Sequence, residues 1–277
     1  MSIFRFKKFD VINERSAMKV NTDGVLLGAL MTIAPDDCRL LDIGTGTGTI
    51  ALMAAQRLTG SHTHISESCL LDDGQGGQPG DHESRSLELR MQNRVIHAID
   101  IDEPSAIEAA ANFRNSLWNG ILRAHHASLD EFESKHLKET AQSGLTFDLI
   151  FSNPPYFDNA LQAPEQRRNA ARHTSTGLSY REILDFAAKY LTETGRVAMV
   201  LPADTEHDLT RHARMNGLYM NKITRIRTVP RKAPKLIVAE FARQRMDFPQ
   251  DTILTIQNEG QYTQEYLSLM KDFYLFA

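Results

Sequence analysis

The strongest chemical signal in this chain is the run Leu40-Leu41-Asp42-Ile43-Gly44-Thr45-Gly46-Thr47-Gly48-Thr49-Ile50. Apolar residues and an acid lead into three alternate glycines. Ile50-Ala51-Leu52-Met53-Ala54-Ala55 then reads as the start of a helix. Strand, glycine turn and helix in that order set a ligand against a helix N-terminus. Glycines let the backbone pass close to that ligand with no Cβ in the way. A dinucleotide fingerprint asks for G-x-G-x-x-G, and residue 49 is Thr. A P-loop asks for Lys after its last glycine, and none follows.

A second chemical stretch lies about a hundred residues on. Phe147-Asp148-Leu149-Ile150-Phe151-Ser152 is an apolar strand ending in Asn153-Pro154-Pro155-Tyr156. Two prolines cannot continue a central strand, so the chain leaves the sheet there. The glycine loop, with Asp42 two residues ahead of Gly44, resembles the first motif of class I methyltransferases that use S-adenosylmethionine. Asn153-Pro154-Pro155-Tyr156 resembles the target motif of amino methyltransferases, which act on the exocyclic amine of adenine or on a glutamine amide. The resemblance implies an α/β, Rossmann-like fold: a mostly parallel seven-stranded sheet, helices on both faces and a C-terminal antiparallel hairpin.

The elements that must position these residues follow the same order. Arg39 to Ile43 reads as the first strand, and Ile50 to Leu58 as the first helix. Arg94 to Asp100 reads as the second strand, and Ser105 to Asn115 as its helix with Asp102 as cap. Leu122 to Ser128 is a weak third strand. Tyr180 to Leu191 is an amphipathic helix, Gly195 to Pro202 the fifth strand and Asp204 to Asn216 the next helix. Lys222–Val229 and Lys235–Phe241 form the hairpin, Ile253–Ile256 is a candidate further strand, and Tyr262–Tyr274 reads as a terminal helix. Gly60 to Asn93 breaks the pattern with five glycines, six acids and no sustained periodicity, so it reads as a flexible insertion in a single domain spanning 1–277. Its His62, His64 and His82 lack acid or cysteine at ligand spacing, and no metal is expected.

The N-terminal stretch sharpens the resemblance. Residues 1–36 hold an aromatic, basic alternation, Phe4 to Val11, and then Ala17-Met18-Lys19-Val20-Asn21-Thr22-Asp23-Gly24-Val25-Leu26-Leu27-Gly28-Ala29. Thr22 or Asp23 could cap a helix starting near Val25. The whole stretch also resembles the N-terminal motif of the bacterial tRNA1(Val) adenine N6-methyltransferases. So do the Arg225–Lys235 hairpin and the Asp272-Phe273-Tyr274-Leu275 ending. In that family the N-terminal motif lines the methionine end of the cofactor, which implies that role for Lys19, Thr22, Asp23 and Gly24. The resemblance further implies S-adenosylmethionine contacts from Asp42, Gly44, Gly46, Gly48 and Asn153. A carboxylate ending the second strand can accept both ribose hydroxyls, which suits Asp100, with Asp102 able to exchange roles. Ser128 stands where related enzymes often place an acid against the cofactor adenine. Either its hydroxyl or backbone substitutes, or Asp130 takes the role.

The implied catalytic set is Asn153, Pro154, Pro155 and Tyr156. The Asn153 oxygen and the Pro154 carbonyl can each accept one hydrogen of the target amine. Tyr156 offers a face on which a flipped base can stack. The implied substrate is a tRNA anticodon loop, at adenine 37 of tRNA1(Val).

Charge supports a phosphate-rich partner only locally. The chain is net −4, yet Arg211 to Arg245 holds ten Lys or Arg against one acid. Candidate RNA contacts are Arg225, Arg227, Arg231, Lys232 and Lys235 there, and Arg167, Arg168, Arg172 and His173 in the long loop after Tyr156. A solvated charged surface is the plainer alternative. Cys38 and Cys69 form no disulfide framework, the N-terminus lacks a signal-peptide core, and no run approaches eighteen apolar residues. A cytoplasmic protein with no membrane association and no obligate protein partner is expected.

Two other functions remain open at this stage. A glutamine N5-methyltransferase of release factors also carries Asn-Pro-Pro-Tyr, but usually has a separate N-terminal helical domain, whereas here only about 39 residues precede the first strand and the basic hairpin suits RNA. A non-catalytic S-adenosylmethionine or RNA binder would have no need of an intact Asn153-Pro154-Pro155-Tyr156.

Overall fold

The structure is a computed structural model that describes residues 2–60, 94–137, 145–155 and 178–277. A short hairpin, β1 (Ile3–Arg5) against β2 (Asp10–Ile12), opens the chain. Helix α1 (Thr22–Leu30) follows. Its cap is Asn21, whose side-chain oxygen accepts the Gly24 N–H at 2.8 Å. This corrects the reading of Thr22 or Asp23 as caps. Asn21 combines an extended backbone with a short acceptor side chain, so the helix begins earlier and Thr22 and Asp23 sit in its first turn.

The chain then alternates strand and helix. It runs β3 (Arg39–Ile43), α2 (Thr49–Gly60), β4 (Val95–Asp100), α3 (Glu103–Arg114), β5 (Leu122–His126), α4 (Leu129–Phe132) and β6 (Phe147–Ser152). Next come α5 (Tyr180–Tyr190), β7 (Leu191–Pro202), α6 (Glu206–Met215), β8 (Tyr219–Arg227) and β9 (Leu236–Ala242). The chain closes with β10 (Gln250–Thr255), a small hairpin of β11 (Gln257–Asn258) and β12 (Gln261–Tyr262), and α7 (Gln264–Met270).

The main sheet has the order β10-β8-β9-β7-β6-β3-β4-β5. Only β9 within it runs antiparallel to its neighbours, β7 and β8. This is the Rossmann-like methyltransferase arrangement with its C-terminal hairpin, with one difference: the sheet holds eight strands rather than seven. Gln250–Thr255 adds to the edge parallel to β8, in register from Gln250 opposite Lys222 to Thr255 opposite Arg227.

Strands buried on both faces read as continuous apolar runs, and all six residues of β6 are buried. Leu40, Ile96, Leu149, Phe151 and Val200 pack under α1, α2, α3 and α7. Leu41, Ile43, Ile99, Ile150 and Met199 pack on the other face against Ile183, Leu184 and Phe186 of α5 and Leu209 of α6. The chain steps from β3 one way to β4 and β5 and returns to β6 on the other side. Ligands in open α/β sheets bind where the strand order reverses in this way, outside the carboxyl ends of the strands. Here that rim carries the glycine turn after β3, Asp100 at the end of β4 and Asn153 after β6. Among the described residues no helix is long and apolar enough to cross a membrane, and no three His, Cys, Asp or Glu side chains gather in a metal-binding arrangement.

Candidate active site

The turn after β3 explains its own composition. Gly44, Gly46 and Gly48 have φ of 73°, 56° and 80°, where a Cβ costs about 1–2 kcal/mol per residue. The Gly44 and Thr45 N–H groups donate to the Ile99 carbonyl at 2.9 and 3.0 Å. The Gly46 N–H donates to Asp100 Oδ2 at 2.8 Å. Gly48 meets a second demand, because a Cβ there would stand 2.5 Å from Phe113 Cε1 on α3. Gly44 differs: a Cβ would find only Leu178 Cδ2, at 3.8 Å, so backbone is exposed to whatever occupies the rim.

Two carboxylates face this turn. Asp42 is fully buried, and its Oδ2 accepts the Thr45 hydroxyl at 2.7 Å. Its Oδ1 has no hydrogen-bond partner among the described residues. Burial pushes its pKa up to about 7; the Thr45 hydroxyl and the Ala51 backbone N–H oppose this and the Asp100 charge adds to it. Asp100 accepts the Gly46 N–H on one oxygen and the Asp102 N–H on the other, at 2.9 Å. Burial raises its pKa as well, against the pull of those two N–H groups. Each Asp100 oxygen has a second lone pair with which to accept from a ligand hydroxyl. Asp102 is committed elsewhere: it caps α3, accepting the Ser105 N–H at 3.0 Å.

A third segment closes over the turn from the N-terminus. Glu108 of α3 is buried, and its carboxylate accepts the N–H groups of Glu14, Arg15 and Ser16 at 2.9, 2.7 and 3.2 Å. Asn112, one helical turn on, accepts the Ile12 N–H at 2.8 Å and donates to the carbonyls of Ile12 and Thr47 at 3.0 and 2.8 Å. Thus one face of α3 fixes residues 12–16 beside the glycine turn. Ser16 donates to the Met18 carbonyl at 2.9 Å, and a Cβ on Gly46 would stand 3.4 Å from both groups. From here Met18 reaches Asn153, whose side-chain nitrogen donates to the Met18 sulfur at 3.5 Å. Asn153 and Pro154 are buried at the end of β6, and Pro155 is exposed. Ser152 anchors the strand end by donating to the Ile43 carbonyl at 2.7 Å.

The structure therefore brings Asp42, Gly44, Gly46, Gly48, Asp100 and Asn153 onto one rim. Gly24 is buried behind it, where a Cβ would meet Ile50 at 3.4 Å. Lys19 is exposed and donates to the Glu14 carbonyl at 2.5 Å. Ser128 caps α4 in a reciprocal pair with Glu131, accepting its N–H and donating its own backbone N–H to the Glu131 carboxylate. Tyr156, Arg167, Arg168, Arg172 and His173 lie outside the described residues, as do the three histidines and Cys69 of 61–93.

On the hairpin, Arg225 is held between Glu206 and Asp251. Arg227 donates to Thr255 Oγ1 at 2.9 Å and to the Pro230 carbonyl at 3.0 Å. Arg231, Lys232 and Lys235 are exposed at the hairpin tip. Glu108, Asn112, Ser16 and Met18 escaped the sequence reading. Glu108 and Asn112 did leave a signal, for both fall on the buried stripe of α3 defined by Ala106, Ala109 and Phe113, where the helical period calls for apolar residues.

This rim suits a nucleoside-bearing cofactor. Gly44 offers bare backbone, and Asp100 offers acceptors for hydroxyls. No family model matches the sequence. Among solved structures, a predicted O-methyltransferase from Agrobacterium tumefaciens superposes with a TM-score of 0.57 at 15% identity, over 91% of this chain and 96% of that one. A methyltransferase from Pyrococcus furiosus gives a TM-score of 0.50 at 19% identity, over 86% and 90%. These establish the fold. Sequence relatives go further. A Trichodesmium erythraeum protein named tRNA1(Val) (adenine(37)-N6)-methyltransferase is 33% identical over 272 residues, 98% of this chain and 97% of its own length. A Haemophilus influenzae protein of the same name is 34% identical over 276 residues, 99% of each chain. With that identity sustained from end to end, the chain belongs to the tRNA1(Val) (adenine(37)-N6)-methyltransferase family.

Proposed function

We propose that this protein transfers a methyl group from S-adenosylmethionine to the N6 amine of an adenine in tRNA, at position 37 in the anticodon loop of tRNA1(Val). It works as a single-domain cytoplasmic enzyme with no obligate protein partner. The observation that carries this reading is the juxtaposition of Asn153 with the glycine turn and Asp100 on one rim, in a chain of this family.

When bound, S-adenosylmethionine supplies a methyl on a sulfonium, already a good leaving group. What remains for the protein is position and orientation. Adenine N6 is a poor nucleophile because its lone pair is delocalised into the ring. Asn153 Oδ1 and the Pro154 carbonyl accept its two hydrogens and hold its lone pair toward the incoming methyl. The Asn153 nitrogen turns to Met18, which ties the amide to the N-terminal segment. Asp100 accepts the ribose hydroxyls, and Asp42, buried behind the glycine turn, fixes its shape through the Thr45 hydroxyl. Tyr156 stacks on the flipped base, an interaction worth about 1–3 kcal/mol against the cost of unstacking. Thr22, Asp23 and Gly24 line the methionine end. Lys19 and Ser128 serve as local anchors, of the Glu14 carbonyl and of α4. Arg167, Arg168, Arg172 and His173, with Arg227, Arg231, Lys232 and Lys235, meet RNA phosphates. Arg225, already neutralised by two acids, buttresses them.

The test is tritium transfer from labelled S-adenosylmethionine to total tRNA lacking its adenine-37 methyl, beside release factor, duplex DNA and an Asn153→Ala control. Label in one valine tRNA, lost in the variant, supports the reading. Label in release factor alone replaces it with glutamine methylation.

A further inference from the structure

A stack of aromatic rings runs from the core to the surface beside the basic hairpin. Phe9 stacks on Phe6 with centroids 4.6 Å apart, and Phe6 on Tyr274 at 5.9 Å. Tyr274 stacks on Phe276 at 4.9 Å, and Phe276 on Tyr262 at 5.2 Å. Interplanar angles along this series stay between 8° and 26°. The inner rings are buried, Phe6, Phe9 and Tyr274 each being under 10% exposed. The outer two are open, Tyr262 at 42% and Phe276 at 56%. Stacked on each other, they leave one aromatic face exposed beside charged residues, the kind of patch that marks an interaction site. Each rests on a buried ring, Phe276 on Tyr274 and Tyr262 on Tyr266 at 5.1 Å, which restricts its rotamers and lowers the ordering cost of binding.

Their place on the sheet says what covers them. Strand β10 runs parallel to β8, and both end on the rim where β7 and β6 end. Beyond β10, the Ile256 and Gln257 N–H groups donate to the carbonyls of Arg227 and Thr228 at 3.0 and 2.8 Å. Gln257 pairs with Tyr262 across the small hairpin. Tyr262 thus stands next to the basic turn that bears Arg227, Arg231 and Lys232. From β6 to β10 is four strand spacings, about 19 Å along the rim from Asn153. Exposed, parallel aromatic faces beside clustered cations are the chemistry of single-stranded nucleic acid, whose bases stack while phosphates meet the cations.

We propose that Tyr262 and Phe276 form a stacking platform for an unpaired nucleotide of the RNA substrate, flanking the one that enters the active site. The proposal rests on the reading of this protein as a tRNA methyltransferase and adds a second contact to it. Purified Tyr262→Ala/Phe276→Ala and Tyr262→Phe/Phe276→Trp variants should be compared with wild type for tRNA dissociation constant, cofactor affinity and melting temperature. The expected result is about a tenfold weaker tRNA affinity in the double alanine variant, with cofactor affinity unchanged and affinity retained in the aromatic variant. A Tyr262→Trp variant provides a second readout, since the chain's one tryptophan, Trp118, is buried. Its added emission should be quenched by tRNA. Wild type that binds and methylates tRNA, beside a folded double alanine variant of equal affinity, would overturn the platform and leave the enzyme reading standing. Wild type that neither binds nor methylates tRNA would remove both.

Discussion

The side-chain nitrogen of Asn153 lies 3.5 Å from the sulfur of Met18, joining the target motif to the N-terminal motif across 135 residues. The contact directs the amide nitrogen toward Met18. Asn153→Ala removes the acceptor and should lower kcat by on the order of 100-fold, as loss of one preorganised polar group commonly does. Cofactor affinity should change little. Met18→Ala keeps the acceptor but releases its orientation, so its kcat should fall less, by about 3–10-fold. Single-turnover methylation with both ligands saturating checks this. Equal losses in the two variants would mean that Met18 does more than orient.

Glu108 gives a second prediction. Three backbone N–H groups converge on one buried carboxylate. Hydrogen bonds to a charged acceptor are worth about 1.5–3 kcal/mol each, and a buried donor left unpaired costs about 1–3 kcal/mol. Glu108→Ala should lower the melting temperature and loosen residues 12–18 against Gly46. The cofactor KM should rise about tenfold with a smaller change in kcat. Glu108→Gln keeps one acceptor and should recover part of the KM. A uniform loss of kcat and KM tracking stability alone would mark Glu108 as a scaffold residue only.

Much of this site was legible because its demands are local. A glycine at each of 44, 46 and 48 answers a positive φ, and Asp102 caps its helix by accepting the N–H three residues on. Alternating strand and helix patterns placed β3, β4, β6 and β7 within a few residues. What stayed hidden depends on tertiary contact. Whether Arg225 faces phosphate or a carboxylate is decided by Glu206 and Asp251, which lie 19 and 26 residues away. Ser128 reads as a stand-in for an acid, and only the fold shows the capping box that it closes with Glu131. The edge strand β10 carries polar residues at Gln250, Asp251 and Thr252, because one side of it meets water, and so gives only a faint strand signal.

Asp42 predicts a pH dependence. Its folded pKa, about 7, lies above the ordinary aspartate value of 3.8. The folded state therefore binds more protons than the unfolded state between those values, and stability falls as pH rises through that interval. Its contribution is fully present below about pH 4 and lost as pH passes about 7. Asp42→Asn removes the titration. Between pH 5 and 8 the wild-type melting temperature should fall relative to that of Asp42→Asn by roughly 3 °C or more. Parallel curves would show that Asp42 stays ionised throughout.

The hairpin cations should divide into two kinds. Arg225 spans Glu206 and Asp251, so its charge is already answered within the protein. Partly exposed pairs of this sort contribute about 1 kcal/mol or less, and Arg225→Ala should lower the melting temperature by a few degrees at most. It should leave the salt dependence of tRNA binding nearly untouched, because no phosphate counterion is released by a group that never met one. Arg231 and Lys232 stand exposed at the tip with no acid side chain within ion-pair distance among the described residues. Arg231→Ala and Lys232→Ala should leave the melting temperature in place and each reduce the slope of log affinity against log salt by about 0.7–0.9. Binding measured across a salt series separates the two effects. If Arg225→Ala flattens the slope and the tip variants do not, the ion pair must open on binding and the RNA must lie against the face of β8 rather than the turn.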